Sequence, residues 1–211
     1  MTAQPAARDE VLSRIRRAIG ESADLPVERE YRRAGSSSMA AEELLHLLVD
    51  RLEDYKATVV RCADTDGDIA AAVGSLLQQR AVDRLVTPIG ITDSWLAADR
   101  QQPDEPPLSV AELDGAAGVL TGCSVAIAET GTIVLDAGPM CGRRAITLVP
   151  DLHLCVVRSA QVVHSVPDGI ARLDPTQPLT FISGPSATSD IELNRVEGVH
   201  GPRQLVVILA A

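Results

Sequence analysis

Apolar residues recur at helical spacing in three segments of the first half of the chain. They predict helices over residues 8–20, 38–53 and 68–79. Short runs of apolar and β-branched residues at 57–60 and 84–87 are typical of buried strands. A strand, a helix and a second strand in succession indicate a parallel sheet with right-handed crossovers, so we expect an α/β fold.

The second half of the chain predicts shorter elements joined by turns. Two apolar runs on either side of residues 129–132 predict a hairpin. A helix followed by a surface loop is predicted over 88–107, short helices over 144–148 and 167–173, and extended segments over 154–157, 161–164, 179–182 and 205–210. The segments at 179–182 and 205–210 are predicted to be buried strands.

A strand, a Gly-Pro-Ser turn and a helix start follow one another between residues 179 and 192. Ser189 and Glu192 predict a capping box, in which each side chain binds an amide of the first helical turn. Because ligands of α/β proteins collect at the carboxyl ends of strands, the stretch is a candidate ligand site. Its candidate residues are Gly184, Pro185, Ser186, Thr188, Asp190 and Glu192. A purely structural turn is the alternative, and the two carboxylates argue against a phosphate ligand because they would repel an anion.

The N-terminal part of the chain differs in composition from the rest. Residues 21–37 are polar and end in Gly35 and a run of three serines, which predicts a loop or mobile arm. We therefore expect an N-terminal helix and flexible arm over 1–37 and a single α/β domain over 38–211. The arm could pack on that domain or on a partner.

Composition narrows the classes of partner and cofactor. Hydrophobic residues make up 45% of the chain and aromatic ones only 2%, which favours a core of aliphatic side chains around a sheet. The net charge of −10 argues against nucleic acid and anionic membranes as partners. No apolar run reaches membrane-spanning length and no leader is visible, so we expect a cytoplasmic protein. Four widely spaced cysteines without a C-x-x-C pair predict buried thiols, with no metal and no cofactor bound by this chain.

The predicted hairpin turn carries groups that could act chemically. Glu129 could be a nucleophile or a general base, with Thr130, Gly131 and Thr132 supplying hydroxyls and amides beside it. The alternative is a structural turn whose threonines bond to the local backbone.

Two further motifs contain a histidine. Arg144 and His153 could hold a carboxylate or phosphate near a sheet edge, but a buried structural role is preferred for His153, and more strongly for His164 and His46. His200 lies before Gly201 in a Gly-Val-His-Gly-Pro loop, which can expose its imidazole, and a structural loop is the alternative.

Four of these motifs, in this order, resemble the lactate utilization protein C family, whose conserved unit is called the LUD domain. They are Ala126–Leu135, the Arg144…Thr147…Pro150…His153 series, Ile182–Glu192 and Gly198–Pro202. The resemblance is strong over residues 118–209. It departs at Ala187, where relatives usually carry arginine, and at Ser189 and Thr147, where alanine and serine are common.

The resemblance implies a three-layer α/β/α fold similar to the sugar-phosphate isomerase and CoA-transferase-like folds. It also implies an accessory role in oxidising L-lactate to pyruvate, together with iron–sulfur partner proteins and with a small carboxylate as a possible ligand. The resemblance implies that the motif positions form a ligand-facing surface, without assigning reaction roles to them. Glu129 and His200 are the candidate catalytic residues from their own chemistry. Alternatives are a free-standing enzyme of the isomerase or CoA-transferase-like type and a non-catalytic scaffold or regulatory module.

Overall fold

The computed structural model describes residues 7–20, 28–35, 38–184 and 201–211. The chain divides into two units, Met1–Tyr31 and Arg32–Ala211. The first unit contains helix α1, Ala7–Ile19, which has acidic residues in its first turn and basic residues in its last, as the helix dipole favours. Its apolar positions Val11, Ile15 and Ile19 are exposed. The expected domain boundary after residue 37 stays a prediction.

The second unit alternates short strands with helices. In the described part of this unit the helices are α2 (Ala41–Asp54), α3 (Asp66–Gln79), α4 (Val110–Asp114) and α5 (Val166–Arg172), and 3₁₀ turns span Ala98–Arg100, Arg144–Thr147 and Ser159–Gln161. Its strands are β1 (Thr58–Cys62), β2 (Leu85–Thr87), β3 (Gln101–Pro103), β4 (Val119–Thr121), β5 (Val125–Ile127), β6 (Thr132–Leu135), β7 (Leu152–Arg158), β8 (Val162–Val163), β9 (Thr180–Ile182) and β10 (Gln204–Ala210).

Six of these strands form the main sheet, in the order β1-β10-β7-β4-β2-β3. Every pair in it is parallel. Alternate residues of β10 face opposite sides of the sheet: Val206 and Ile208 join the cluster around α3, whereas Val207 and Leu209 join the cluster around α2. The main sheet is therefore covered on both faces, as its aliphatic sequence predicts.

A smaller sheet lies on the α2 side, with the order β8-β5-β6-β9. β5 and β6 form the predicted antiparallel hairpin. Ala126 and Ile133 pack into the cluster around α2, while Val125, Ile127 and Val134 form a second cluster that includes Val166 of α5. The hairpin is thus buried on both faces, which fixes the position of its turn at residues 128–131.

The α/β fold with a mostly parallel sheet is confirmed, and most of the expected helices and strands are present in the described residues. Three predictions are wrong. Residues 88–107 contain a 3₁₀ turn and the edge strand β3 in place of a helix, because the backbone of Gln101 pairs with Leu85. The strand at 179–182 is an edge strand, and Phe181 is 49% exposed. The His46 side chain is 64% exposed on α2, so it is not a core residue.

Candidate functional site

The turn between β5 and β6 is built around a glycine. Gly131 has φ +60°, a left-handed conformation that costs other residues free energy. A Cβ atom at this position would lie 2.7 Å from the Cβ of Arg51 and 3.0 Å from its carbonyl carbon, in the last turn of α2. Because Gly131 has no side chain, the turn packs directly against α2.

Hydroxyl groups connect this turn to the end of β9. The Oγ1 atoms of Thr130 and Thr132 are 2.7 Å apart, and Thr132 Oγ1 lies 2.7 Å from Ser183 Oγ. Gly184 follows with φ +86°, and a Cβ there would lie 2.6 Å from the Cβ of Tyr55 at the end of α2. We call Glu129–Thr132 together with Ser183 and Gly184 the turn cluster. Two motifs that are distant in sequence meet in it because β9 pairs with β6.

Glu129 is held by an arginine from outside the hairpin. The two terminal nitrogens of Arg32 donate to Oε1 and Oε2 of Glu129 at 2.9 and 2.6 Å. Beside them, the amide of Gly35 donates to Oδ1 of Asp168 at 2.6 Å, so residues 32–35 lie across this face. The hydrogen bonds from Arg32 lower the pKa of Glu129. A carboxylate with a lowered pKa is a weaker general base, although it stays ionised and could act as a nucleophile.

The Arg32→Ala variant is expected to raise the pKa of Glu129 towards the ordinary glutamate range, because the guanidinium hydrogen bonds are lost. In the wild type, the Arg32–Glu129 pair stabilises the folded protein at pH values above the ordinary pKa of a glutamate. This stabilisation disappears as the pH falls through the lowered pKa of Glu129 in the folded state. The variant should therefore melt at a lower temperature than the wild type at neutral pH, and the difference should vanish in acid. Carboxyl NMR titration and melting curves measure both effects.

The Arg61→Ala variant is the matched control, because Arg61 is an exposed arginine on β1. It should leave the titration of Glu129 unchanged. An unaltered Glu129 titration in Arg32→Ala would contradict the geometry of the pair.

The other predicted site residues fall elsewhere or outside the described residues. Arg144 lies on the 3₁₀ turn before β7 and donates to the carbonyl and hydroxyl oxygens of Thr147 at 3.0 and 3.2 Å. The neighbouring Ile146 packs with Val86 and Val119, so this turn belongs to a different part of the core from the turn cluster. Gly201 precedes β10. Pro185, Ser186, Thr188, Asp190, Glu192 and His200, as well as the capping box of Ser189, lie outside the described residues.

Sequence reasoning missed a cavity at the carboxyl ends of β4 and β7. The cavity has a volume of about 250 Å³. It is lined by Asp66, Thr92, Trp95, Gly122, Cys123, Met140, Val156, Arg158 and Gln161, and we call it the crevice. The sequence contains one signal for this cavity: polar residues follow directly after predicted strands. Such residues gather at one edge of a parallel sheet.

One wall of the crevice is formed by Asp66, Trp95 and Arg158, which contact one another. The guanidinium of Arg158 lies 5.6 Å from the ring centre of Trp95 and forms ion pairs with Asp64 and Asp66. Trp95 Nε1 donates to Asp66 Oδ1 at 2.9 Å, and this hydrogen bond, with those from Arg158 and Ser94, lowers the pKa of Asp66. These contacts hold the side chains of Asp66, Trp95 and Arg158 in place, and Asp66 is ionised at neutral pH.

Gln161 fixes the opposite side of the crevice. Its Nε2 donates to the carbonyl oxygen of Cys123 at 2.5 Å, and its Oε1 accepts from the amide of Arg158 at 2.9 Å. His153, near the start of β7, is buried and has its Nε2 2.8 Å from Thr121 Oγ1, which confirms the predicted structural role of His153. Cys123, Cys141 and Cys155 are buried free thiols, and Cys62 is half-buried.

Two kinds of feature are absent from the described residues. No three of their histidine, cysteine, aspartate or glutamate side chains are grouped so that they could hold a metal ion. None of the helices in these residues has the length and apolar character needed to cross a membrane.

Comparison with known proteins gives consistent matches. The family model described as the LUD domain matches residues 109–210. Lactate utilization protein C of Deinococcus radiodurans is 47% identical over 96% of this chain and 95% of its own length. Lactate utilization protein C of Bacillus subtilis is 31% identical over 44% of this chain and 41% of its own length.

A solved structure matches as well. The crystal structure of a DUF162 family protein from Deinococcus radiodurans has a TM-score of 0.70 and is 41% identical, covering 82% of this chain and 99% of that one. The fold, the family model and the near full-length match agree with the four sequence motifs. The chain belongs to the lactate utilization protein C family.

Proposed function

We propose that this chain takes part in lactate utilization, as an accessory subunit of a cytoplasmic assembly that oxidises L-lactate to pyruvate. The observation that carries this proposal is the 47% identity over 96% of the chain to a protein named Lactate utilization protein C. Identity spread over the whole chain supports a shared role better than a match to one motif would, because both the core and the surfaces that contact partners are included.

The chemistry of this reaction requires an electron acceptor. Oxidation of a 2-hydroxy acid to a 2-oxo acid removes two electrons and two protons from the substrate. We assign the electron carriers to iron–sulfur partner proteins and propose that this chain brings no cofactor of its own. Its four cysteines are dispersed along the sequence, whereas cluster-binding cysteines are usually closely spaced.

We propose the turn cluster as the face that meets a small carboxylate or a partner. It combines the hydroxyls of Thr130, Thr132 and Ser183 with the ionised carboxylate of Glu129. Gly131 and Gly184 already belong to the turn cluster, whereas Arg144 lies in a different part of the core. Pro185, Ser186, Thr188, Asp190, Glu192, His200 and Gly201 stay candidate site residues from the sequence motifs alone. Because Arg32 already neutralises Glu129, a partner or ligand could bind there without facing an uncompensated carboxylate.

Deletion of the coding sequence from its own organism tests the proposed role. The deletion strain should fail to grow on L-lactate as sole carbon source and should grow normally on pyruvate, because only the oxidation step is lost. Wild-type protein supplied in trans should restore growth on lactate. Equal growth of the deletion strain on both carbon sources would contradict the proposal.

The double variant Glu129→Gln with His200→Ala tests the site separately. Complementation by this variant should be impaired, provided that immunoblotting shows normal protein levels. Full complementation would reject the proposed face and leave the family role intact.

The crevice favours a second candidate, a free-standing enzyme of the isomerase or CoA-transferase-like type. Cavities at the carboxyl ends of parallel strands are where α/β enzymes bind small ligands. This alternative predicts stabilisation of the isolated chain by sugar phosphates or CoA esters, since a ligand at 100 times its Kd adds about 2.7 kcal/mol. No change in melting temperature with any of these ligands would reject it.

A further inference from the structure

The two edges of the main sheet differ in their protection against a further strand. At the β3 edge, the amide of Asp104 donates to the carbonyl of Thr87 in β2. The alternate residues Gln101 and Pro103 therefore turn their backbone groups away from β2. Pro103 has no amide hydrogen to donate, and the carbonyl oxygen of Gln101 already accepts a hydrogen bond of 2.9 Å from Arg84. This edge is thus closed to strand addition, as the edges of soluble sheets usually are.

The opposite edge of the main sheet, β1, lacks such protection. The amide of Ala211 donates to the carbonyl of Cys62, so Cys62 and, by alternation, Val60 turn their backbone groups towards β10. The backbone groups of Val59 and Arg61 consequently point away from the sheet, and none of the described residues forms a hydrogen bond with them. β1 also contains no proline. This edge therefore offers two amides and two carbonyls to an added strand.

A groove of about 400 Å³ lies beside this edge, between β1 and α3, and we call it the β1 groove. On the strand it is lined by Val60 and Cys62, which pack on the α3 side of the sheet. On the helix it is lined by the small residues Ala71, Ala72 and Ser75, which leave room next to the strand. A strand added to β1 would place every second side chain in this groove. Peptide recognition by strand addition uses this combination of free main-chain groups and space for alternate side chains.

We propose that the β1 edge and the β1 groove bind an extended segment of a partner protein in which apolar side chains alternate with lysine or arginine. The apolar side chains enter the groove, whose two charged lining residues, Arg61 and Asp68, have opposite signs. The basic side chains lie on the other face of the sheet, where Val59 packs against the cluster around α2. Helix α2 carries five carboxylates and one arginine, so this face attracts basic side chains.

Charge argues against a second copy of this chain as the occupant. Two copies joined through β1 would pair antiparallel about a two-fold axis perpendicular to the sheet, which places both α2 helices on the same face. The carboxylates of the two helices would then repel each other, and the net charge of −10 opposes self-association in the same sense. The inference goes beyond the proposed role in lactate oxidation, because the β1 groove shares no residue with the turn cluster.

NMR titration of the isotope-labelled full-length chain with a blocked hexapeptide of alternating lysine and valine tests the inference. We expect saturable shifts of the amide signals of Val59 and Arg61, and slower hydrogen exchange of both amides, because they become hydrogen-bonded. The amide signals of β3 should not move. A blocked hexapeptide of alternating glutamate and valine should bind about tenfold more weakly or less, and added salt should weaken binding of the lysine peptide.

Arg61→Pro removes one outward amide and leaves the backbone groups that face β10 in place, so it should weaken binding of the lysine peptide by about tenfold or more. Arg61→Ala is the matched control, because it makes the same change of charge and keeps the amide. Ser75→Trp fills the groove from α3 and should abolish binding even if Arg61→Pro does not fold. Equal binding by Arg61→Pro and Arg61→Ala, shifts at β3 or at no strand, or a wild-type dimer that Arg61→Pro dissociates would overturn the inference.

Discussion

Replacement of Leu154 by alanine is expected to lower the free energy of unfolding by about 2–5 kcal/mol. Leu154 is fully buried in β7, where it lies between Leu120 of β4 and Val206 of β10. Its side chain belongs to the cluster that joins the main sheet to α3. Since both neighbouring strands are fixed by their own pairing, the core cannot collapse easily into the cavity left by the smaller residue. Urea unfolding followed by circular dichroism measures the loss.

Leu148→Ala is the matched control for this prediction. Leu148 is 41% exposed, so the same chemical change removes far less buried surface. Its effect should stay within about 0.5 kcal/mol, as for most surface substitutions. Equal losses in the two variants would show that β7 is not at the centre of the core.

Replacement of Gly131 by alanine is expected to destabilise the protein by about 2–4 kcal/mol. The left-handed backbone at φ +60° is unfavourable for alanine, and the added Cβ would meet both the Cβ atom and the backbone of Arg51 at 3.0 Å or less. Relief of this clash requires the hairpin to move away from α2. Because Thr132 contacts Ser183, the hydroxyl pairs of the turn cluster should be disturbed as well. Thermal unfolding and amide exchange of residues 129–133 measure these effects.

Gly74→Ala supplies a control of opposite sign. Gly74 lies within α3, and a Cβ there would have no atom within 4 Å. Alanine should stabilise this helix by about 0.5–1 kcal/mol because glycine disfavours helix interiors. Wild-type stability in Gly131→Ala would contradict the close approach of the turn to α2.

Local sequence patterns were sufficient for most elements of the main sheet, but not for its edge strand β3. Helix α3 and strand β10 follow from periodicity and from a continuous aliphatic run, because both bury their side chains in a regular way. Helix α3 begins at Asp66, two residues before the predicted start, because its N-cap Thr65 accepts a hydrogen bond from the amide of Asp68.

Long-range pairing could not be predicted in the same way. The apolar run at 179–182 resembles a buried strand, but its position at the edge of the smaller sheet leaves Phe181 half-exposed. The turn cluster needs β9 beside β6, which brings Thr132 within 2.7 Å of Ser183 although they are 51 residues apart. The crevice likewise combines Asp66, Trp95 and Arg158 from three segments. The position of a polar residue directly after a strand places it at one edge of a parallel sheet, but it does not show which strands are neighbours there.

Affinity purification of the tagged full-length chain from its own cells, grown on L-lactate, tests the central claim most directly. The eluate should contain cysteine-rich iron–sulfur proteins and should reduce an artificial electron acceptor when L-lactate is added. An eluate with this chain alone and no lactate-dependent reduction would contradict the role as an accessory subunit.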